Sequence, residues 1–73
     1  MGAFVSAKNT AGLDRVVIEE DEGGFYAFGF EVPAPSKPEW DYWFASKVDA
    51  EQFCFMRWGV PSDTWAETHE RHA

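Results

Sequence analysis

The chain has few cysteines, few basic residues and no long apolar run, and each shortage excludes a class of protein. A single cysteine, Cys54, excludes a framework of intramolecular disulfides. No apolar run approaches the roughly 18 residues of a membrane-spanning helix. No apolar stretch of about 7 residues follows a basic start, as a secretory leader requires. We therefore expect a cytoplasmic protein without a membrane partner.

Basic residues are outnumbered, with 6 lysines and arginines against 13 acidic residues and a formal net charge of −7. A negative field repels nucleic-acid phosphates, so direct nucleic-acid binding is not expected. Residues 19–22 are a run of acids that usually forms a solvated hairpin tip and discourages edge pairing. The alternative is a patch that steers a basic partner, for which the candidates are Glu19, Glu20, Asp21, Glu22 and Glu31.

Aromatic residues are abundant, at 18% of the chain, and all four tryptophans lie between Trp40 and Trp65. A chain of 73 residues forms one core, and aromatic side chains bury the most apolar area per residue. The sequence therefore predicts a single small domain, residues 1–73. Residues 1–13 and 68–73 show no sustained apolar period and are predicted to be flexible.

Three segments have the pattern of β-strands. Residues 15–19 are rich in β-branched side chains, and the following Gly23 and Gly24 permit a tight hairpin turn. Residues 25–32 alternate in hydropathy, the proline-rich segment 33–38 ends the pairing, and alternation returns over 39–45. The pattern predicts a three-stranded antiparallel β-meander.

One helix is predicted over residues 47–58. Ser46 and Asp49 have the spacing of a capping box, and Gly59 followed by a proline at position 61 is a typical helix end. Beyond it we expect a short C-terminal helix or turn with Trp65 packed against the core. The predicted class is α+β, in the order β-β-β-α, with the helix on one face of the sheet.

Candidate catalytic and metal-binding residues are few. His69 and His72 lie one helical turn apart near Glu67, but ordering a flexible terminus around a metal costs entropy. Cys54 lies on the apolar side of the helix, where a thiol is not a nucleophile. Glu39 and Asp41 share one side of a strand with Trp43, but they are expected to be solvated, whereas acid–base catalysis needs a carboxyl group in a dry pocket. We predict no catalytic residue, metal or cofactor, and therefore a protein that is not an enzyme.

The aromatic residues exceed what one core face holds. Tyr26, Phe28 and Phe30 are predicted to share the helix-facing core with Trp40, Tyr42 and Phe44. An interaction surface is predicted at the aromatics left over, which are Phe25, Trp43 and Trp58. We expect a non-catalytic protein–protein interaction or regulatory module that binds another protein or forms a homodimer with its own copy. The alternative is an acidic inhibitor or nucleic-acid mimic that binds a basic protein.

Overall fold

Five antiparallel strands and one helix make up the fold in the computed structural model, which describes residues 2–72. The strand order across the sheet is β4-β3-β2-β1-β5, and each strand runs antiparallel to its neighbours. The α+β class is confirmed. The elements in chain order are β1 (Ala3–Ser6), β2 (Arg15–Asp21), β3 (Gly24–Phe30), β4 (Trp40–Phe44), α1 (Lys47–Trp58) and β5 (Ala66–Glu67).

The sheet contains two strands in addition to the three of the predicted meander, β1 and β5. Strands β2, β3 and β4 form the expected meander, but β1 adds to the free side of β2 and the two-residue β5 adds to β1. Short strands of this kind are fixed by the backbone bonds of a neighbouring strand, and four residues are too few to show a period. Of the predicted C-terminal helix or turn, the structure has the turn, at Ser62 and Asp63, and it leads into β5.

The ends of α1 are those that the sequence predicts. Ser46 is extended, and its hydroxyl accepts a 3.1 Å hydrogen bond from the amide of Asp49. Gly59 has a left-handed φ of 67°, and its amide donates to the carbonyl of Phe55 at 3.0 Å. The helix therefore begins at a side-chain cap and ends at a backbone cap, and each satisfies terminal groups that have no partner within the helix.

The core under the helix contains a different set of β3 side chains from the predicted one. Ala27 lies opposite Tyr42 and Gly29 lies opposite Trp40, so these small residues face α1. A Cβ built on Gly29 would lie 3.0 Å from the ring of Trp58, and the absence of a side chain leaves room for that indole. The prediction that Tyr26, Phe28 and Phe30 face the helix is wrong, because the register of β4 on β3 puts them on the opposite face. The fully buried residues of the helix side are Val16, Ile18, Ala27, Ala50, Cys54 and Val60.

The opposite face of the sheet is covered by residues 68–72, which we call the C-terminal strap. Val17, Phe28 and Phe30 are buried there. The strap starts with a bond from the amide of Thr68 to the carbonyl of Ala3, 2.9 Å long. Its last described residue, His72, places its ring 4.6 Å from the ring of Phe30, centroid to centroid. The strap therefore closes a second, smaller apolar layer.

Ion pairs hold the strap on the sheet. Arg15 donates from Nε to both carboxylate oxygens of Glu70, at 2.9 and 3.0 Å. Glu19, whose side chain is 0% exposed, accepts from Arg71 Nε at 2.6 Å and from the amide of His72 at 2.7 Å. Such charge-assisted bonds offset part of the cost of burying a carboxylate. The flexibility predicted for residues 1–13 and 68–73 is a statement about their motion, and it stays a prediction.

The pairing of Glu70 makes the stability of the protein pH-dependent. The hydrogen bonds from Arg15, and secondarily the contact with His72, lower the pKa of Glu70 from its ordinary value of 4.5. A lowered folded-state pKa stabilises the protein above pH 4.5, and that contribution is lost as the pH falls through the folded pKa. We expect Glu70→Gln to be less stable at neutral pH and to lose less on acidification, as measured by urea unfolding from pH 7 to 3. Glu67→Gln, at an exposed position, is the control, and parallel curves for wild type and Glu70→Gln would contradict the expectation.

Candidate functional site

The three aromatics predicted to form an interaction surface lie in three different environments. Trp58 is 2% exposed and packs between Tyr42 and Phe53 in the core. Phe25 is half-buried on the helix side of the sheet. Trp43 is 54% exposed on the opposite side. These three residues therefore do not form one surface, and only Trp43 presents a large exposed aromatic area.

Trp43 is the centre of a surface at the edge of the sheet. It lies opposite the half-buried Tyr26 of β3, and Asp41, two residues earlier in β4, is exposed on the same side. The Tyr26 ring is stacked on that of Phe28, with 5.6 Å between centroids and 11° between planes. We call Tyr26, Asp41 and Trp43 the β4 surface. Through the contact of Tyr26 with Phe28, the β4 surface adjoins the apolar layer that the strap covers.

Gly24 allows the Trp43 indole to lie against the sheet. A Cβ built at Gly24 would overlap the indole ring. Gly24 is buried and lies directly opposite Asp21 across the β2–β3 hairpin. The ring thus extends from β4 toward the turn that contains Glu22 and Gly23. This arrangement places Trp43 beside the acidic end of the hairpin.

The contact between Gly24 and Trp43 predicts a coupled effect of mutation. We expect Gly24→Ala to destabilise the wild type by about 1–3 kcal/mol, because the new methyl group displaces the indole. In a Trp43→Ala background the same change should cost at least about 1 kcal/mol less, as a double-mutant cycle in urea would measure. The control is Gly23→Ala, at a φ of 78° with no neighbour within 4 Å, which should cost the same in both backgrounds. Additive effects of the Gly24 and Trp43 changes would show that the indole does not lie there.

The five acidic residues proposed as a patch are also divided. Glu19 is buried beneath Arg71, and Glu20 accepts a hydrogen bond from the amide of Gly2 at 3.2 Å. Glu31 follows the far end of β3, roughly 20 Å from the hairpin turn at 3.3 Å per residue. Asp21 and the exposed Glu22 remain beside Trp43. Of the five predicted patch residues, only Asp21 and Glu22 therefore lie at the hairpin end of the β4 surface.

The residues considered for catalysis lie apart from that surface. Cys54 is fully buried, and desolvation raises the pKa of its thiol to about 12, so it is not a thiolate at neutral pH. His72 contacts Glu70 through Nε2 at 2.7 Å, as part of the strap. Within residues 2–72, no group of three or more His, Cys, Asp and Glu side chains has the spacing of a metal site. The same residues include no helix with the length and apolar character of a membrane-spanning segment.

A second exposed apolar area lies on the outer side of α1. Val48, Phe55 and Met56 line a groove of about 580 Å³ together with Ser62, and Met56 is 83% exposed. The groove is distant from the β4 surface, because α1 packs on the other face of the sheet. The exposed residues of this groove are therefore suitable positions for control variants.

Comparisons with known proteins provide no information about this site. No protein-family model, curated protein or solved structure matches the chain. The sequence pattern predicts Trp43 as a surface residue on the same side of β4 as Asp41, but it places Tyr26 on the wrong face. The signal that was needed is the β3–β4 register, which pairs Tyr26 with Trp43.

Proposed function

We propose that this protein is a non-catalytic interaction module that binds a basic segment of another protein on the β4 surface. The observation that carries the proposal is the 54% exposure of Trp43 on a strand at the edge of the sheet. Exposed tryptophans are costly to leave in water and are enriched among residues that dominate binding energy. The indole lies over Gly24, so little side-chain entropy remains to be lost on binding.

The charges around Trp43 favour a basic partner. Asp41 is exposed on the same side, and Asp21 and Glu22 lie at the hairpin end. A lysine or arginine above an indole gains a cation–π interaction, and neighbouring carboxylates add charge-assisted hydrogen bonds. The net charge of −7 steers a basic partner toward the protein.

An acidic inhibitor of a basic protein is the second candidate function. The position of Asp21 and Glu22 beside Trp43 favours it, because one partner can contact the aromatic and the acidic residues together. Extended mimicry of nucleic acid is less well supported, since Glu19 is buried and Glu31 is at the opposite end of the sheet. Regulation of a basic protein and recognition of a basic segment thus use the same surface.

The proposal is tested with short fluorescent peptides of net positive, zero and net negative charge and mixed residue order. We expect positive peptides to bind by fluorescence anisotropy and Trp43→Ala to weaken binding at least about tenfold. The control Met56→Ala, on the outer side of α1, should leave binding unchanged. Equal binding of negative and positive peptides, or equal losses in both variants, would contradict the proposal.

A further inference from the structure

We infer that the basic partner binds as an extended segment that adds a sixth strand to β4, with basic and apolar residues in alternation. This inference rests on the proposed function and specifies the partner of the same surface. β4 is the last strand at its end of the sheet, with β3 on one side only. The other end is closed differently, because β5 has two residues and runs into the strap.

The outer backbone edge of β4 is suited to pairing. In the part of the chain that the structure describes, no backbone hydrogen bond outside the β3 ladder reaches Trp40–Phe44. Alternate amides and carbonyls of an edge strand point away from the sheet, and they are templates for another strand. β4 contains neither proline nor lysine, the residues that commonly block such pairing. Its five residues span roughly 16 Å, enough for a short peptide.

The two sides of β4 specify different residues in the added strand. Trp40, Tyr42 and Phe44 are half-buried on the helix side, where their exposed edges can be covered by apolar side chains. Asp41 and Trp43 are exposed on the other side and complement lysine or arginine. Successive residues of a strand point to opposite faces, so the fitting segment alternates apolar and basic residues.

Charge favours this partner over a second copy of the chain. β4 of another copy would bring Asp41 and no basic residue to the pairing. Two molecules of charge −7 also repel each other on approach. The homodimer expected from the sequence is therefore an alternative outcome at this edge.

The test uses three forms of one basic peptide. The first alternates valine with lysine and arginine, and the second has the same composition in a basic block followed by an apolar block. We expect the alternating peptide to bind at least about tenfold more tightly. The third form is the alternating peptide N-methylated on one or the other set of alternate amides. Methylation of the set that faces β4 should abolish binding, whereas methylation of the outward set should preserve it.

The outcomes separate this inference from the proposed function. If basic peptides bind in a Trp43-dependent way but order and methylation have no effect, strand addition is wrong and the proposed function stands. If no basic peptide binds in a Trp43-dependent way, both are wrong. If light scattering shows a concentration-dependent dimer that prevents the alternating peptide from binding, a second copy is the occupant of the edge and the inference is overturned.

Discussion

Replacing Trp58 with alanine is expected to lower the free energy of unfolding by about 3–5 kcal/mol. Trp58 is buried in the helix-side core, with its ring 5.5 Å from Phe53 and 6.1 Å from Tyr42, centroid to centroid. The truncation leaves a cavity that the close packing over Gly29 cannot fill. At roughly 0.05–0.15 kcal/mol per residue, a domain of 73 residues has a total stability of about 4–11 kcal/mol, so the variant should be partly unfolded at 37 °C. Urea unfolding followed by far-UV circular dichroism measures the loss.

Met56→Ala is the matched control for Trp58→Ala. It lies two residues away on the same helix and is 83% exposed, so its effect should stay within about 0.5 kcal/mol. Measuring both variants also separates an effect on stability from an effect on binding at Trp58, which the sequence predicts to be an interaction residue. A Trp58→Ala protein that is as stable as Met56→Ala but fails to bind would contradict the burial of Trp58 and restore its surface role.

Removing the C-terminal strap by truncation after Glu67 is expected to cost about 3–5 kcal/mol. The truncated chain loses the partners that Arg71 and the amide of His72 provide for Glu19. It also exposes part of Phe28 and Phe30, which the strap covers. Increased binding of a hydrophobic dye should accompany the lower urea midpoint.

A control for the truncation is His69→Ala, since His69 is an exposed residue of the strap. Its substitution should change the stability by no more than about 0.5 kcal/mol. The sequence alone predicts a flexible tail, and removal of a flexible tail costs nothing. A truncated protein with the wild-type urea midpoint would therefore support flexibility and contradict a stabilising strap.

The meander and the helix were predictable because their signals are local. Alternation over residues 25–32 and 39–45 and the caps at Ser46 and Gly59 depend only on neighbouring residues. The register between β3 and β4 was not predictable, because a shift by one residue exchanges the faces of every side chain. The sequence pattern therefore places Tyr26 on the helix side, one residue out of register with the structure. The strap was missed because its ion pairs join residues separated by 52 and 55 positions.

The candidate site was predictable only in part for the same reason. The surplus of aromatics over one core face pointed to Trp43, and the period of a strand placed Asp41 beside it. The same excess of aromatics also predicts Trp58 at the surface. Its indole fits into the core beside Gly29, and this contact exists only once α1 packs on the sheet. Glu19 was assigned to a surface patch because a run of four acids gives no sign that Arg71 covers one of them.

Chemical-shift mapping of the isotope-labelled protein with the alternating basic peptide tests the central claim most directly. The claim is that the exposed side and outer edge of β4 are the binding site. We predict that the largest shifts occur at the amides of Trp40–Phe44 and at the indole N–H of Trp43. Shifts concentrated instead at Val48, Phe55 and Met56 would place the site on the outer side of α1 and contradict the account.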